Sequence, residues 1–474
     1  MLRLQHIVLL VATLMMMVLM PITLTQASSV NELRFLPTYD KDIKGQYTGY
    51  LTVGTSKHYF FWFIESRNNP SSDPVALFLN GGPGCSSMLG ALTENGPFTV
   101  MKDTTGASGH DKFFVVENPY TWANVASMLY LESPAGVGFS YNTDGNYTTG
   151  DFQTASDNMA ALQEFFTLFP EFRANDLYIA GESYAGHYVP QLAGLIVSQQ
   201  PSIGLNLRGV MVGNPSFNFT VDAQFYPTFM AFHALLSYND YMNMSSICGG
   251  VFYPASSECQ AVQNELFNAF NLINPYDIYE PCVGEGPASG GSCFTTETAL
   301  LGSSRHTVRS SQVFIPCLDE SAIEGYLNRE DVQKALGVES HTVPSGQWQP
   351  CSPIINYTQI VEDIPQMYQL LIHNGLQVLV FSGDVDSCVP YLGTSQAVAQ
   401  LGYPVSSAWR PWILVDDQKY QQVAGYVVSY STASVNSAAT LSFATVKGAG
   451  HMVSSYKPAQ ALALFTRFVT GTPF

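Results

Sequence analysis

The residues most able to do chemistry lie in Gly181-Glu182-Ser183-Tyr184-Ala185-Gly186, which follows the short apolar run Leu177-Tyr178-Ile179-Ala180 and precedes Val189-Pro190-Gln191-Leu192-Ala193. An apolar run ending in glycine, then serine, then a helix-prone segment of small residues predicts a strand, a sharp turn and a helix. That arrangement is a nucleophile elbow, in which the serine hydroxyl stands exposed at the head of the turn. The turn demands small residues on both sides of the serine, because strand and helix nearly touch there. Gly181 and Ala185 meet the demand. Ala185 stands where the strict pattern has glycine, and Gly186 is expected to share its task.

A serine needs a base, an acid that orients the base, and donors for the developing oxyanion. The apolar run Pro74 to Leu79 predicts a buried strand that opens into Asn80-Gly81-Gly82-Pro83-Gly84-Cys85, a loop whose amides could approach a substrate with no side chain in the way. Gln377 to Ser382 predicts another buried strand, entering Gly383-Asp384-Val385-Asp386, and Ala439 to Val446 leads into Lys447-Gly448-Ala449-Gly450-His451. The chain order is therefore Ser, Asp, His, each at the C-terminal end of an apolar strand beside glycine. In an open α/β sheet that is the edge where functional groups converge. Spacing alone does not choose between Asp384 and Asp386.

The elements that must position these residues alternate. Tyr47 to Glu65 predicts an antiparallel pair at a sheet edge, Met128 to Glu132 a strand, Asp151 to Phe169 an amphipathic helix stopped by Pro170, and Leu207 to Asn214 a strand and turn. Such a rhythm implies a largely parallel sheet covered on both faces. The rhythm fails from Asn218 to Pro350, which offers helical segments such as Ala223 to Leu236, a Gly/Ser/Thr-rich tract from Gly284 to Ser304, no strong strand and five of the eight cysteines. It reads as a disulfide-stapled, mainly helical insertion. Strands are expected again across Trp412 to Val428, and a helix from Pro458 to Thr470 closes the chain. The expected fold class is α/β, an α/β-hydrolase with core segments 28–217 and 351–474 around a cap at 218–350.

Composition sets the compartment. The chain has 474 residues, 37 acidic and 19 basic, for a formal charge of -18. An acidic surface of this kind repels nucleic acid and anionic membranes. Arg3 and His6 precede the apolar run Ile7 to Met20, and Thr25-Gln26-Ala27 offers a cleavage point, so residues 1–27 read as a secretory signal peptide. No later run reaches the roughly 18 apolar residues that a membrane helix needs. An even number of cysteines on an exported chain implies disulfides, and sequons at Asn146, Asn218, Asn243 and Asn356 suit the same route. Arg305 and Arg309 lie just beyond the Gly284 to Ser304 tract, a composition suited to nicking. No His-Glu-x-x-His set is present, so a zinc peptidase of that kind is not expected and no metal or cofactor is called for.

Asn80 to Ser87, Glu132 to Tyr141, Gly181 to Pro190, Tyr326 to Leu336, Gly383 to Asp386 and Gly448 to Met452 together resemble the serine carboxypeptidase family, over nearly all of the chain from Leu36 to Phe468. The resemblance implies Ser183 as nucleophile, His451 as base and Asp386 as its acid. It places the oxyanion amides on Gly82 and Tyr184, and a grip for the substrate's terminal carboxylate on Asn80, Gly81, Glu94 and Glu182. It implies the pairs Cys85 with Cys351, Cys248 with Cys259 and Cys282 with Cys317; Cys293 and Cys388 are left over and are expected to be unpaired, with a fourth bridge between them as the alternative that the even count invites. Peptides with a free C-terminus would be the substrates, in a lysosome-like or vacuolar compartment or outside the cell, with a monomer or homodimer as the working form. Phe78 and Ser454 depart from the family's usual Trp and Pro. Two carboxyls sharing one site cannot both ionise cheaply, so Glu94 and Glu182 would hold a proton and donate it to the bound carboxylate. Low pH favours that state, whereas an acidic optimum requires a histidine that stays basic in the complex. Acyl transfer to an alcohol on the same scaffold and a purely binding glycoprotein are the rival readings. The complete Asn80, Glu94 and Glu182 set favours hydrolysis.

Overall fold

The computed structural model describes residues 28–103, 112–199, 202–267, 273–283, 305–309, 317–339, 343–360, 364–416 and 418–474. The expected signal peptide, the Gly284 to Ser304 tract and Cys293 lie outside the described residues.

Eleven strands run through one sheet: β1 Ser29–Glu32, β2 Gln46–Val53, β3 Lys57–Ile64, β4 Val75–Leu79, β5 Ser127–Leu131, β6 Leu177–Glu182, β7 Leu207–Gly213, β8 Gln377–Gly383, β9 Val405–Val415, β10 Gln421–Tyr430 and β11 Thr440–Val446. Their spatial order is β1-β2-β3-β5-β4-β6-β7-β8-β11-β10-β9, with the two-residue strand Tyr141–Asn142 added beside β3. The six central strands, β5, β4, β6, β7, β8 and β11, are parallel. Antiparallel strands flank them on both sides. Parallel strands are buried on both faces, and β4 accordingly has no exposed residue.

Successive residues of a strand serve opposite faces. Phe61, Phe63, Leu77, Ile179 and Val210 pack under the helices Asp151–Leu168, Ala185–Gln199 and Ile364–His373. Phe60, Trp62, Phe78, Ala180 and Met211 pack on the other face, where Trp122 stacks on Phe465 of the helix Pro458–Thr470 at 4.1 Å. Phe78 is buried against Trp122 and Tyr130, so the strand absorbs its departure from Trp.

Within 218–350 the helices Phe219–Phe232, Tyr238–Cys248 and Ser257–Phe267 enclose a small core of Phe229, Met230, Leu236, Met244 and Phe252. The segment from Ile323 to Val338 instead joins the main core through Tyr326, Leu327, Val332 and Leu336. The stretch was expected to hold no strong strand, and the one described there is the short Arg305–Arg309, which pairs antiparallel with Asn356–Ile360 and, through it, joins Thr148–Gly150. Arg-His-Thr-Val-Arg carries no apolar alternation, and its ladder partner comes from a distant part of the chain. Likewise Trp412 to Val428 spans the end of β9, a turn at Asp416, whose Oδ1 accepts from Tyr420 N at 2.8 Å, and most of β10.

Cys85–Cys351, Cys248–Cys259 and Cys282–Cys317 are bonded. Cys388 is disulfide-bonded as well, to a partner outside the described residues, which corrects the expectation of an unpaired thiol there. An even complement of cysteines is what an oxidising route uses up.

Candidate active site

Each of the six parallel strands delivers one group to the same edge of the sheet. Beyond β4 comes Asn80 to Gly82, beyond β6 Ser183, beyond β8 Asp386 and beyond β11 His451, while β5 and β7 deliver Glu132 and Asn214. The last two carry no role in the sequence reading. The signal that could have found them is position alone, directly after a parallel strand.

Ser183 has φ 63°, the left-handed region that strains a residue with a side chain, as an elbow requires. Its amide donates to Gly213 O at 2.9 Å and its carbonyl accepts from Gly186 and Ser216 amides at 2.9 and 3.0 Å, which fixes the turn from both sides. A Cβ on Gly181 would lie 2.5 Å from Ala185 Cβ, and one on Gly186 would lie 2.6 Å from Ser216 O. Gly186 is thus the position with no room, while Ala185 is accommodated with its methyl fully buried.

His451 Nδ1 and Asp386 Oδ2 are 2.8 Å apart, and both residues are buried. Asp386 also accepts from Asn214 Nδ2 at 2.7 Å, Cys388 N at 2.7 Å and Val389 N at 3.2 Å. Three further donors keep the carboxylate aimed, and its bond to Nδ1 leaves Nε2 as the free nitrogen of the imidazole. Asp384 does different work, accepting from Gly448 N at 2.6 Å and so tying the β8 loop to the loop that carries His451. From 218–350, Pro275 O accepts from the amides of Ser387 and Cys388 at 2.9 Å each, and Tyr276 O accepts from His451 N at 2.7 Å. Tyr276 meets the His451 ring edge-on at 5.1 Å.

The loop beyond β4 lies directly against the elbow. A Cβ on Gly81 would sit 2.4 Å from Tyr184 N and 2.7 Å from Ser183 Cβ, so only glycine permits this approach. Among the described residues neither Gly82 N nor Tyr184 N donates a hydrogen bond, so the two amides are available to an oxygen. Tyr184 N also opens the helix Ala185–Gln199, whose N-terminus favours negative charge. The Tyr184 hydroxyl is pinned to Asp151 at 2.8 Å, as is that of Tyr357.

Beside the serine, Asn80 Nδ2 donates to Glu94 Oε1 at 2.9 Å and to Glu182 Oε1 at 3.4 Å, while Asn80 Oδ1 accepts from Gly90 N. Glu94 ends a single π-helical turn, Gly90–Glu94, a local widening often met at functional sites. Both carboxyls are buried, at 4% and 8% exposure. Burial raises Glu94 above the ordinary carboxylate range, against the Asn80 bond, the Glu182 bond and the charge of His451. Burial, then the neighbouring Glu94, pushes Glu182 well above that range. Glu94 Oε2 has no donor among the described residues when both groups are ionised, and a proton on Glu182 supplies one. The pair therefore holds a proton under conditions where isolated carboxyls have lost theirs.

Glu132 is fully buried and its pKa is pushed up to about 7 by that burial, against the donors that favour its charge. A folded-state pKa above the ordinary 4.5 means that the native protein binds more protons than the unfolded chain between these values. Stability from this source is complete below about 4.5 and is lost as pH rises through about 7, on the order of 3 kcal/mol for Glu132 alone, with Glu182 and Glu94 adding in the same direction. We expect the denaturant midpoint to fall between pH 5 and pH 7.5. A midpoint that rises over that interval contradicts the assignment.

Among the described residues the one His/Cys/Asp/Glu cluster close enough to hold a metal is Asp386, Cys388 and His451. It offers no set of ligands, because the Cys388 sulfur is in a disulfide and Asp386 Oδ2 is bonded to His451 Nδ1.

A family model described as serine carboxypeptidase matches residues 37–471. The chain is 35% identical over 458 residues to the lysosomal protective protein of Mus musculus, covering 90% of this chain and 91% of that one. It is 34% identical over 480 residues to serine carboxypeptidase 1 of Hordeum vulgare, covering 93% of each. The crystal structure of a prohormone-processing carboxypeptidase from Saccharomyces cerevisiae shares the fold, with a TM-score of 0.64 at 21% identity over 94% of this chain and 91% of that one.

Proposed function

The chain belongs to the serine carboxypeptidase family and is a serine-type hydrolase, and from that premise we propose that Ser183, His451 and Asp386 form its catalytic triad and that Asn80, Gly81, Glu94 and Glu182 bind the substrate's C-terminal carboxylate. The observation that carries the second part is the buried, proton-sharing pair Glu94 and Glu182, held by Asn80 beside the serine. An anion is accepted there by a carboxyl that donates. In this reading Ser183 Oγ attacks the scissile carbonyl, His451 Nε2 takes its proton, and Gly82 N and Tyr184 N receive the oxyanion. His451 then protonates the leaving amino acid, and water repeats the sequence on the acyl-enzyme.

A proton requirement at the carboxylate grip also favours an acidic working compartment. We place the protein on the secretory route, supported by the N-terminal apolar run and the disulfides, with an acidic lysosome-like or vacuolar compartment or the extracellular space as destination. Among the described residues no helix is long and apolar enough to cross a membrane. Glycans are proposed at Asn146, Asn243 and Asn356, which are exposed, and at Asn218, which is half-buried and caps a helix through Oδ1. The division into core segments 28–217 and 351–474 around a cap at 218–350, and a monomer or homodimer acting on peptides, belong to the same reading.

Glu94→Gln tests the grip. Glutamine keeps the shape and a donor at every pH, so the rise of KM with pH for a peptide acid should flatten while kcat changes by less than about fivefold. A structural carboxyl would instead give parallel losses on a peptide acid and on its C-terminal amide, and that result would rule the shared-proton reading out.

A further inference from the structure

Glu132 stands one residue past β5, next to the strand whose loop supplies Asn80 to Gly82, and the triad does not use it. Its carboxyl is fully buried and gathers three donors from three separate segments. Trp348 Nε1 donates to Oε1 at 2.8 Å, the Phe139 amide donates to Oε2 at 2.6 Å, and the Ser86 hydroxyl donates to Oε1 in a short bond. No cation takes part in this set. A Cβ on Gly138 would fall within 1.9 Å of Oε1, so the chain has given up a side chain to make room for this carboxyl.

Ser86 is the link to the site. It follows Cys85 in the loop that carries Gly82, and the Ser87 hydroxyl beyond it accepts from Asn80 N at 3.2 Å. Its hydroxyl oxygen also accepts from Met88 N at 3.0 Å, at the entry to the turn that ends in Glu94. On the other side Trp348 is clamped by Asn328, which donates to Trp348 O at 2.9 Å and accepts from Trp348 N at 2.8 Å. The chain then passes through Pro350, whose carbonyl accepts from Ser86 N at 2.7 Å, to Cys351 and its bridge to Cys85.

We propose that Glu132 is a positioning residue for acyl transfer, fixing the Gly82 loop through Ser86 and referring it to the Trp348 segment. The idea rests on the reading of Gly82 as an oxyanion donor. An oxyanion hole acts on the transition state and hardly on the bound substrate, so a loop displaced by a few tenths of an ångström lowers kcat and leaves KM in place. Burial, which pushes the group up to about 7, leaves the neutral carboxyl as the form present at acidic pH, still hydrogen-bonded to the loop.

The test uses the full-length mature protein, an N-blocked dipeptide methyl ester that lacks the free carboxylate, and three variants. Ser86→Ala removes the arm to the loop with the least disturbance. Glu132→Leu removes both acceptor oxygens, which glutamine, a mimic of the neutral carboxyl, would not, and the third variant combines the two. Each single variant should lose about tenfold in kcat with KM within about twofold, and the double variant should be no slower than the slower single one by more than about twofold, because both cut the same connection. A wild-type kcat in folded Ser86→Ala overturns the proposal, as do losses that multiply in the double variant. If Glu132 only stabilises the fold, melting temperatures fall while kcat measured below them does not, and the proposal fails. Ser183→Ala on the same ester separates the two readings: with that variant inactive, a negative result strikes Glu132 alone, and an active Ser183→Ala would overturn the triad beneath it.

Discussion

Ser183→Ala is expected to lower kcat for peptide hydrolysis by about five to six orders of magnitude while leaving the protein folded and secreted. The size of the loss follows from the route. Without the hydroxyl no acyl-enzyme forms, and what remains is water attacking a carbonyl held by the oxyanion amides and the carboxylate grip. The fold should tolerate the change, because Ser183 is fixed by its backbone, through bonds to Gly213 O and from the Gly186 and Ser216 amides, and those bonds do not involve the hydroxyl. The φ of 63° is strained for alanine as for serine, so the elbow persists in both. Steady-state kinetics with circular dichroism as a folding control check it, and a loss of only a few-fold would remove Ser183 from the mechanism.

The next largest effect is expected at Asp386→Asn, about three to four orders of magnitude in kcat. Asp386 Oδ2 faces His451 Nδ1, and Asn214 Nδ2, Cys388 N and Val389 N surround the same carboxylate with donors. An asparagine has only one acceptor oxygen. Whichever way the amide turns, its NH2 meets a donor, and when it faces His451 it forces the proton onto Nε2, where it blocks the serine. KM for a peptide acid should change little, because Asn80, Glu94 and Glu182 are untouched. Asp384→Asn supplies the contrast. Its oxygen still accepts from Gly448 N, so activity should fall by less than about tenfold. Equal losses at the two positions would contradict the assignment of the acid.

The three members of the proposed triad stood out as candidates in the sequence because each follows an apolar strand beside glycine, and strand ends are local signals. The choice between Asp384 and Asp386 was not legible, since both follow the same strand and only the third dimension shows which meets His451. Family resemblance supplied that choice and the three cystine pairs, and it misled at Cys388, which is bonded. Asn214 and Glu132 went unread for a different reason. Their meaning lies in partners more than 100 residues away in sequence, Asp386 for one and Trp348 for the other. The strand Arg305–Arg309 escaped for the same cause, as its register is set by Asn356–Ile360 and its composition says nothing. The helix Pro458–Thr470, with proline at its first turn and Gly471 in the left-handed conformation at its end, was readable to the residue because both of its stops are local.

In the proposed mechanism a serine hydrolase site is coupled to a buried carboxyl pair that recognises a free C-terminus. The decisive measurement is kcat/KM for one N-blocked dipeptide and its C-terminal amide, each from pH 4.5 to 7.5. Because burial raises both Glu182 and Glu94, and Glu94 raises Glu182 further, they donate at the acidic end and lose that capacity as pH rises. The free acid should be favoured by about a hundredfold at pH 4.5, the preference should shrink steadily toward pH 7.5, and KM of the acid should carry the change. A preference for the free acid that is absent at pH 4.5, or that grows as pH rises, would contradict that mechanism.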